Sequence, residues 1–216
     1  MMNTEYQAWV DPAANLLHWD GHTYPCDRDI VALALWQECA LLLSADTDCL
    51  ALWDRDGLVR TVRVGVYPQD FAMREDRVYV CGSADGRLHV LTLPDLHTIR
   101  TYPLPGMPER VLARGHTAWV LSFIPEPPVH TQLLQLDLHS GQYQSITSYA
   151  GLPGALSADD RGLWIGVSEL VAHLPWGTAT ADLLIEGIGL ASKIVVHNAG
   201  VIITDSLENR RFFVRT

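Results

Sequence analysis

The sequence predicts an all-β chain folded as a five-bladed β-propeller of four-stranded antiparallel blades. Three observations carry this. A unit of about 40 residues recurs along the chain, the length of one propeller blade. Within each unit one short run is apolar almost throughout, as a strand covered on both faces must be. Another run alternates apolar and polar residues, as an edge strand half in water does.

The unit is clearest over residues 67–104, which read as four strands: DFAMRE, RVYVCG, RLHVLTL and HTIRTYPL. The breaks between them, Glu75-Asp76, Ser83-Ala84-Asp85-Gly86 and Pro94-Asp95-Leu96, are turn-forming residues. The apolar second strands align as CALLL (39–43), RVYVC (77–81), TAWVL (117–121), GLWIG (162–166) and GVIIT (200–204). Their central residues are Leu41, Tyr79, Trp119, Trp164 and Ile202. Tyr79, Trp119 and Trp164 are expected to be buried between blades. The fourth strands at 59–64 and 98–102 carry the alternation.

First strands are expected to begin near Asp29, Asp70, Glu109, Gly154 and Ala191, at intervals of 41, 39, 45 and 37 residues. The last unit holds only three strands. Its fourth is expected from residues 16–24, LLHWDGHTY, so that strands from both ends of the chain pair and leave no open edge. Residues 6–10 read as a further strand, joined through the turn at 11–15, with no assigned neighbour. A two-sheet β-sandwich is the alternative, but it does not explain a 40-residue repeat. Residues 1–216 are read as one domain, with 1–28 as the closing segment.

Composition bounds the function. The chain is 48% hydrophobic and 19% charged, enough apolar material for a core. Its formal net charge of −10 argues against phosphate backbones, so nucleic acid is not an expected partner. The longest apolar stretch, residues 30–43, is broken by Gln37 and Glu38 and is too short to span a bilayer. No membrane partner is expected. The N-terminal residues lack the basic-then-apolar pattern of a secretory signal. Cys26, Cys39, Cys49 and Cys81 have no CxxC spacing, which points to free thiols and a cytoplasmic setting.

Residues 64–68 (VGVYP), 77–80 (RVYV) and 88–91 (LHVL) resemble the YVTN propeller repeat. Residues 205–214, DSLENRRFFV, resemble the Asp…Asn-Arg turn of NHL repeats. Gly115-His116 resembles the Gly-His of WD repeats, although it lies between first and second strands. The resemblance covers the chain from about Asp29 onward and implies a propeller. These families include lyases, lactonases and binding proteins, so it implies no single activity.

The candidate site follows from propeller geometry. Loops between fourth and first strands open on the mouth of the central channel, where the repeat places Asp29, Asp70 and Glu109, with Gly154 and Lys193 in the last two blades. Three convergent carboxylates could hold a hard divalent cation such as calcium. That set resembles the metal site of gluconolactonase-type propellers, without the amide ligand those carry. The plainer reading is that these acids satisfy backbone N–H groups at turns, or that Lys193 compensates them. The loops after the second strands share that face and carry Glu126, His130 and Arg210; the proline-stiffened loop at 123–130 makes a plausible binding lip. The nine histidines form no ligand pattern, and no nucleophile elbow or phosphate loop is present. The seven tryptophans are read as packing residues rather than carbohydrate platforms. The expected function is a non-catalytic binding or scaffold propeller with a protein or small-molecule ligand. The alternative is a metal-dependent hydrolase or lactonase acting through the channel-mouth carboxylates.

Overall fold

The computed structural model describes residues 8–197 and 199–215, and among these it is all-β. The five blades begin where the repeat places them. The first four start at β4 (Ile30–Trp36), β8 (Pro68–Arg74), β12 (Met107–Arg114) and β16 (Pro153–Ala158). The fifth starts with the second half of β18 (Leu183–His197), which pairs with β19 (Gly200–Asp205) from Ala191 onward.

Each blade is an antiparallel meander, because turns of two to five residues can only join neighbouring antiparallel strands. The first blade runs β4, β5 (Cys39–Ser44), β6 (Cys49–Asp54) and β7 (Gly57–Arg63). The second runs β8, β9 (Arg77–Gly82), β10 (Arg87–Thr92) and β11 (Thr98–Pro103). The third runs β12, β13 (Thr117–Ile124), β14 (His130–Asp137) and β15 (Tyr143–Ala150).

The fourth blade is β16, β17 (Gly162–Pro175) and the first half of β18. β17 turns back at Glu169, whose φ is 62°, so that the amide of Trp176 donates to the Arg161 carbonyl (3.0 Å). One long strand thus supplies both middle strands of the blade. β18 then leaves the fourth blade and enters the fifth, where β19 and β20 (Arg210–Val214) follow.

The chain divides into two compact units, Met1–Pro103 and Leu104–Thr216. In the first, strand periodicity builds two cores. Leu41 and Leu43 of β5, with Leu50 and Leu52 of β6, pack against Phe71, Val78, Val80 and Leu91 of the second blade. The intervening residues Ala40, Leu42, Ala51 and Trp53 point the other way and meet Leu17 and Trp19. Side chains alternate between faces along a strand, so a strand apolar throughout needs cover on both.

That second face explains one departure from expectation. Residues 16–24 do not pair with β20. They form β2 (Leu16–Trp19) and most of β3 (His22–Pro25), which join β1 (Ala8–Asp11) in a separate three-stranded sheet. Both edges of β2 are occupied there. Its inward residues Leu17 and Trp19, both essentially inaccessible, cover the first blade. β1 holds part of the segment expected at 6–10; its first two residues lie outside the described residues.

In the second unit, Ala155, Trp164, Ala191, Ile194, Val201 and Ile203 form one cluster. Leu121, Leu133, Leu163, Ile165, Val167 and Leu174 form another, between the third and fourth blades. Tyr79 and Trp164 are buried as expected, at 2% and 0% exposure. Trp119 is only half-buried. The four cysteines form no disulfide. The outer strands β7 and β11 are more exposed than simple alternation requires: Val59 and Ile99 both face solvent.

Candidate functional site

The loops before the first strands and those after the second strands meet at one end of each blade, held by a recurring staple. A residue near the end of the second strand, or in the loop after it, bonds to the loop that feeds a first strand, its own blade's or the next one's. Ser44 Oγ donates to the Arg28 carbonyl (2.8 Å), and Ser122 Oγ donates to the Pro105 carbonyl. Ser168 Oγ accepts from the Leu152 amide (2.8 Å). In the first blade Asp48 accepts from the Tyr67 amide (2.7 Å) and from Arg63 (2.8 Å). In the fifth, fully buried Asp205 accepts from the amides of Gly189 and Leu190 at 3.0 and 3.1 Å. It also accepts from the amides of Leu207 and Glu208 and lies 3.4 Å from the Arg210 guanidinium. Burial pushes the Asp205 carboxyl up, but these donors outweigh it and hold the group down at about 2.

The sequence-predicted residues lie on these loops and on the strand starts beside them. Strand pairing shows that they occupy different phases. The aligned pairs are Ile30 with Ser44, Pro68 with Gly82, Pro108 with Ser122, Pro153 with Val167 and Ala191 with Asp205. A bulge follows each. Asp29 precedes its pair by one residue. Glu109 sits in its bulge, and Asp70 and Lys193 lie just past theirs, opposite Cys81 and Thr204. The expectation of one common phase is therefore corrected: the bulge recurs at the same register in every blade, and the four residues stand at different distances from it. Arg110 shares the phase of Asp70 and Lys193, and donates from Nε to the Gly154 carbonyl (2.6 Å). Asp29 and Lys193 are exposed; Asp70 and Glu109 are half-buried and have partners. Among the described residues, no group of three His, Cys, Asp or Glu side chains is disposed to hold a metal ion.

The loop-face residues have local roles. Arg210 braces Asp205 and lies over the Phe212 ring (5.1 Å). His130 Nδ1 donates to the Pro128 carbonyl (2.6 Å), which closes the proline loop on itself, and Glu126 projects from that loop into solvent.

The opposite end of the second unit carries a cleft that the sequence reading passed over. It has a volume of about 380 Å3 and is walled by Trp119, Leu133, Leu174, Pro175 and Trp176, with Gln135, Gln144, Ser145 and Thr178 as its polar side chains. Pairing places Trp119, Gln135 and Gln144 side by side in one row across β13, β14 and β15. In the first two blades the row reads Leu41–Leu52–Arg60 and Tyr79–Val90–Arg100. Leu52 and Val90 are both buried. The third blade thus sets an amide where its neighbours in sequence set a core side chain. Gln144 Nε2 donates to Gln135 Oε1 (2.9 Å), which leaves Gln135 Nε2 and Gln144 Oε1 without a side-chain partner among the described residues, on two residues that line the cleft.

Trp176 is held from three sides. It meets Trp119 at 5.0 Å between ring centroids, tilted by 55°, and Arg114 lies 4.8 Å over its ring. Its indole N–H donates to the Asp159 carbonyl (3.3 Å). Asp159 organises this end: its carboxylate accepts from the Trp164 indole (2.9 Å) and from the amides of Arg161 and Gly162. Burial raises its pKa, yet those donors and the nearby His173 leave it net below the usual carboxylate range. Buried His173 packs tilted against the Trp164 ring and bonds through Nδ1 to Asp182 Oδ1 (2.6 Å), which ties down the loop after β17.

A second opening of about 330 Å3, lined by Thr117, Gln135, Asp137, Gln142, Tyr143 and Gln144, shares Gln135 and Gln144 with the cleft and prolongs it. The Asp137 carboxyl there is held below its usual range by the Ser140 amide and hydroxyl and by the His139 amide. In the first unit a smaller cavity of about 280 Å3 lies between residues 25–30 and the first blade, with Leu42, Ala51, Trp53 and Leu58 as apolar walls.

No known family model matches the sequence, and no curated protein matches it either. Solved structures do match in fold. A functionally unknown protein from Desulfotomaculum acetoxidans aligns with a TM-score of 0.72 at 10% identity, over 98% of this chain and 79% of that one. The WD40 β-propeller domain of Doa1 aligns at 0.68 and 15% identity, over 97% and 78%. The Neurospora crassa Pan2 WD40 domain aligns at 0.62 and 10%, over 97% and 78%. At these identities the likeness is one of fold: the chain is similar to WD40 β-propellers and is built of propeller repeats.

Proposed function

We propose that this protein is a non-catalytic binding propeller whose ligand site is the cleft walled by Trp119 and Trp176. The observation that carries this is Gln135. A sequence that specifies one fold keeps core rows apolar, and departures concentrate where function requires them. Gln135 stands where Leu52 and Val90 are buried in the first two blades, and with Gln144 it lines a cleft rather than a packed interface. The site has what small-ligand pockets need: apolar walls, few polar groups, and a rigid frame. Arg114, Asp159 and His173 supply that frame by fixing Trp176 and its loop. The fold fits the reading, since propellers of the WD40 kind suit a binding or scaffold role.

A ligand-observed magnetic-resonance screen with neutral aromatic and polyol fragments tests this. Hits are expected to compete with one another and to disappear in Trp119→Ala. That substitution should cost on the order of 1–3 kcal/mol of stability, as a half-buried aromatic does, and leave the fold intact. Hits that persist in Trp119→Ala, but vanish in Asp70→Asn or Lys193→Ala, would move the site to the loop end instead.

A further inference from the structure

The chemistry of the cleft is more specific than its volume. No charged side chain is among the groups lining the 380 Å3 portion. Its walls are two indoles and aliphatic side chains, and its polar groups are amides and hydroxyls. The Gln135–Gln144 pair presents one unpaired NH2 donor and one unpaired carbonyl acceptor from neighbouring strands. In this portion an anion would find no cation and a cation no carboxylate; the Asp137 carboxylate belongs to the adjoining opening and is already engaged by three donors. A purely apolar ligand would strand both amides, at the cost of desolvating unpaired polar groups.

Resting on the binding reading above, we infer that the ligand is a neutral oligosaccharide. Sugar rings carry an apolar C–H face and a rim of hydroxyls, each both donor and acceptor. The C–H face suits an indole wall. Adjacent hydroxyls suit the amide pair, one accepting from Gln135 Nε2 and the other donating to Gln144 Oε1. The opening prolongs the cleft past one ring. There Tyr143, 47% exposed, supplies a further aromatic surface, while Thr117, Gln142 and Asp137 supply hydrogen-bonding groups. Asp137 already accepts three bonds through Oδ1, so its place is fixed before a ligand arrives. Prearranged donors and acceptors lower the ordering cost of binding.

The test uses the full chain on a printed array of neutral and acidic glycans, followed by titration with cellopentaose, maltopentaose and chitopentaose. A mixed neutral peptide library runs in parallel. At least one class of neutral glycan should bind, perturb tryptophan emission, and lose tenfold or more in affinity in Gln135→Leu. That variant places at 135 the leucine that the first blade carries at the same position, Leu52, so its melting midpoint should be unchanged or higher, and the loss cannot be blamed on unfolding. Binding of peptides alone, with the same sensitivity to Gln135→Leu, would overturn the glycan assignment and leave the cleft as a binding site. Binding only of acidic glycans would also overturn it. Silence from every glycan and peptide would sink both the assignment and the binding reading.

Discussion

Trp164→Ala should lower the free energy of unfolding by roughly 3–5 kcal/mol, the range for emptying a fully buried aromatic site. In a chain of this length that corresponds to a fall in Tm of roughly 10 °C. The expectation rests on two contributions. Trp164 has no exposed surface and lies in the same core cluster as Val171, Ala191 and Ile203. Its indole N–H also donates to Asp159, so the substitution removes a partner from a carboxylate with little solvent access. Trp164→Phe separates the two contributions. It keeps most of the packing and loses only the hydrogen bond, so about 1–2 kcal/mol is expected. Denaturant titration of both variants gives the two values. Equal losses would mean that the hydrogen bond, not the packing, dominates.

The second large effect is on acid stability. Asp205 is buried in the folded chain with a pKa of about 2, against an ordinary 3.8. A carboxyl whose folded pKa is depressed takes up its proton more readily when unfolded. The stability it contributes is therefore complete above pH 4 and drains away as pH falls from about 4 through 2. Asp48, Asp137 and Asp159 are shifted in the same direction by their hydrogen-bond donors and act in the same acid range. Thermal melts between pH 6 and 2 should show Tm falling steeply at the low end. Asp205→Asn should lower Tm at pH 6 and flatten the profile, because an amide nitrogen in place of Oδ2 cannot accept the bond that the Gly189 amide donates and turns a donor toward Arg210, while the oxygen that remains carries no charge. An unaltered profile in Asp205→Asn would show that this staple contributes nothing to the acid transition.

The blades were legible because strand burial is written directly into period and composition. CALLL, RVYVC, TAWVL, GLWIG and GVIIT all fall inside the second strands that the structure forms. The pairing of residues 16–24 was not legible. LLHW can serve as an outer strand or as a cover for a neighbouring face, and only Ala40, Leu42, Ala51 and Trp53 on the far side of the first blade decide between them. The phases of Asp29, Asp70, Glu109 and Lys193 were not legible because turn residues do not mark where a first strand begins to within one residue, and a slip of one residue turns a side chain to the other face.

The cleft had a signal that could have been read. The third strand of the third blade is HTQLLQLD, where the corresponding strands are CLALWD and RLHVLT. A polar Gln135 beside Trp119 stands where the first two blades place the buried Leu52 and Val90. What the sequence could not show was that β17 turns back at Glu169 and delivers Trp176 to the same place. That contact joins residues 57 positions apart and depends on a hairpin whose turn, Ser168-Glu169, lacks the usual glycine or asparagine.

The most direct measurement follows the indole N–H resonances of 15N-labelled protein while ligand is added. The chain has seven tryptophans, and single Trp→Phe variants assign each peak. On titration with a neutral oligosaccharide that binds on the array, the Trp119 and Trp176 indole signals should shift in a saturable, concentration-dependent way. Trp9, Trp19, Trp36, Trp53 and Trp164 should stay in place, and all shifts should vanish in Gln135→Leu. Stationary Trp119 and Trp176 signals, with saturable shifts at Trp53 or at no tryptophan, would contradict a binding site at this cleft.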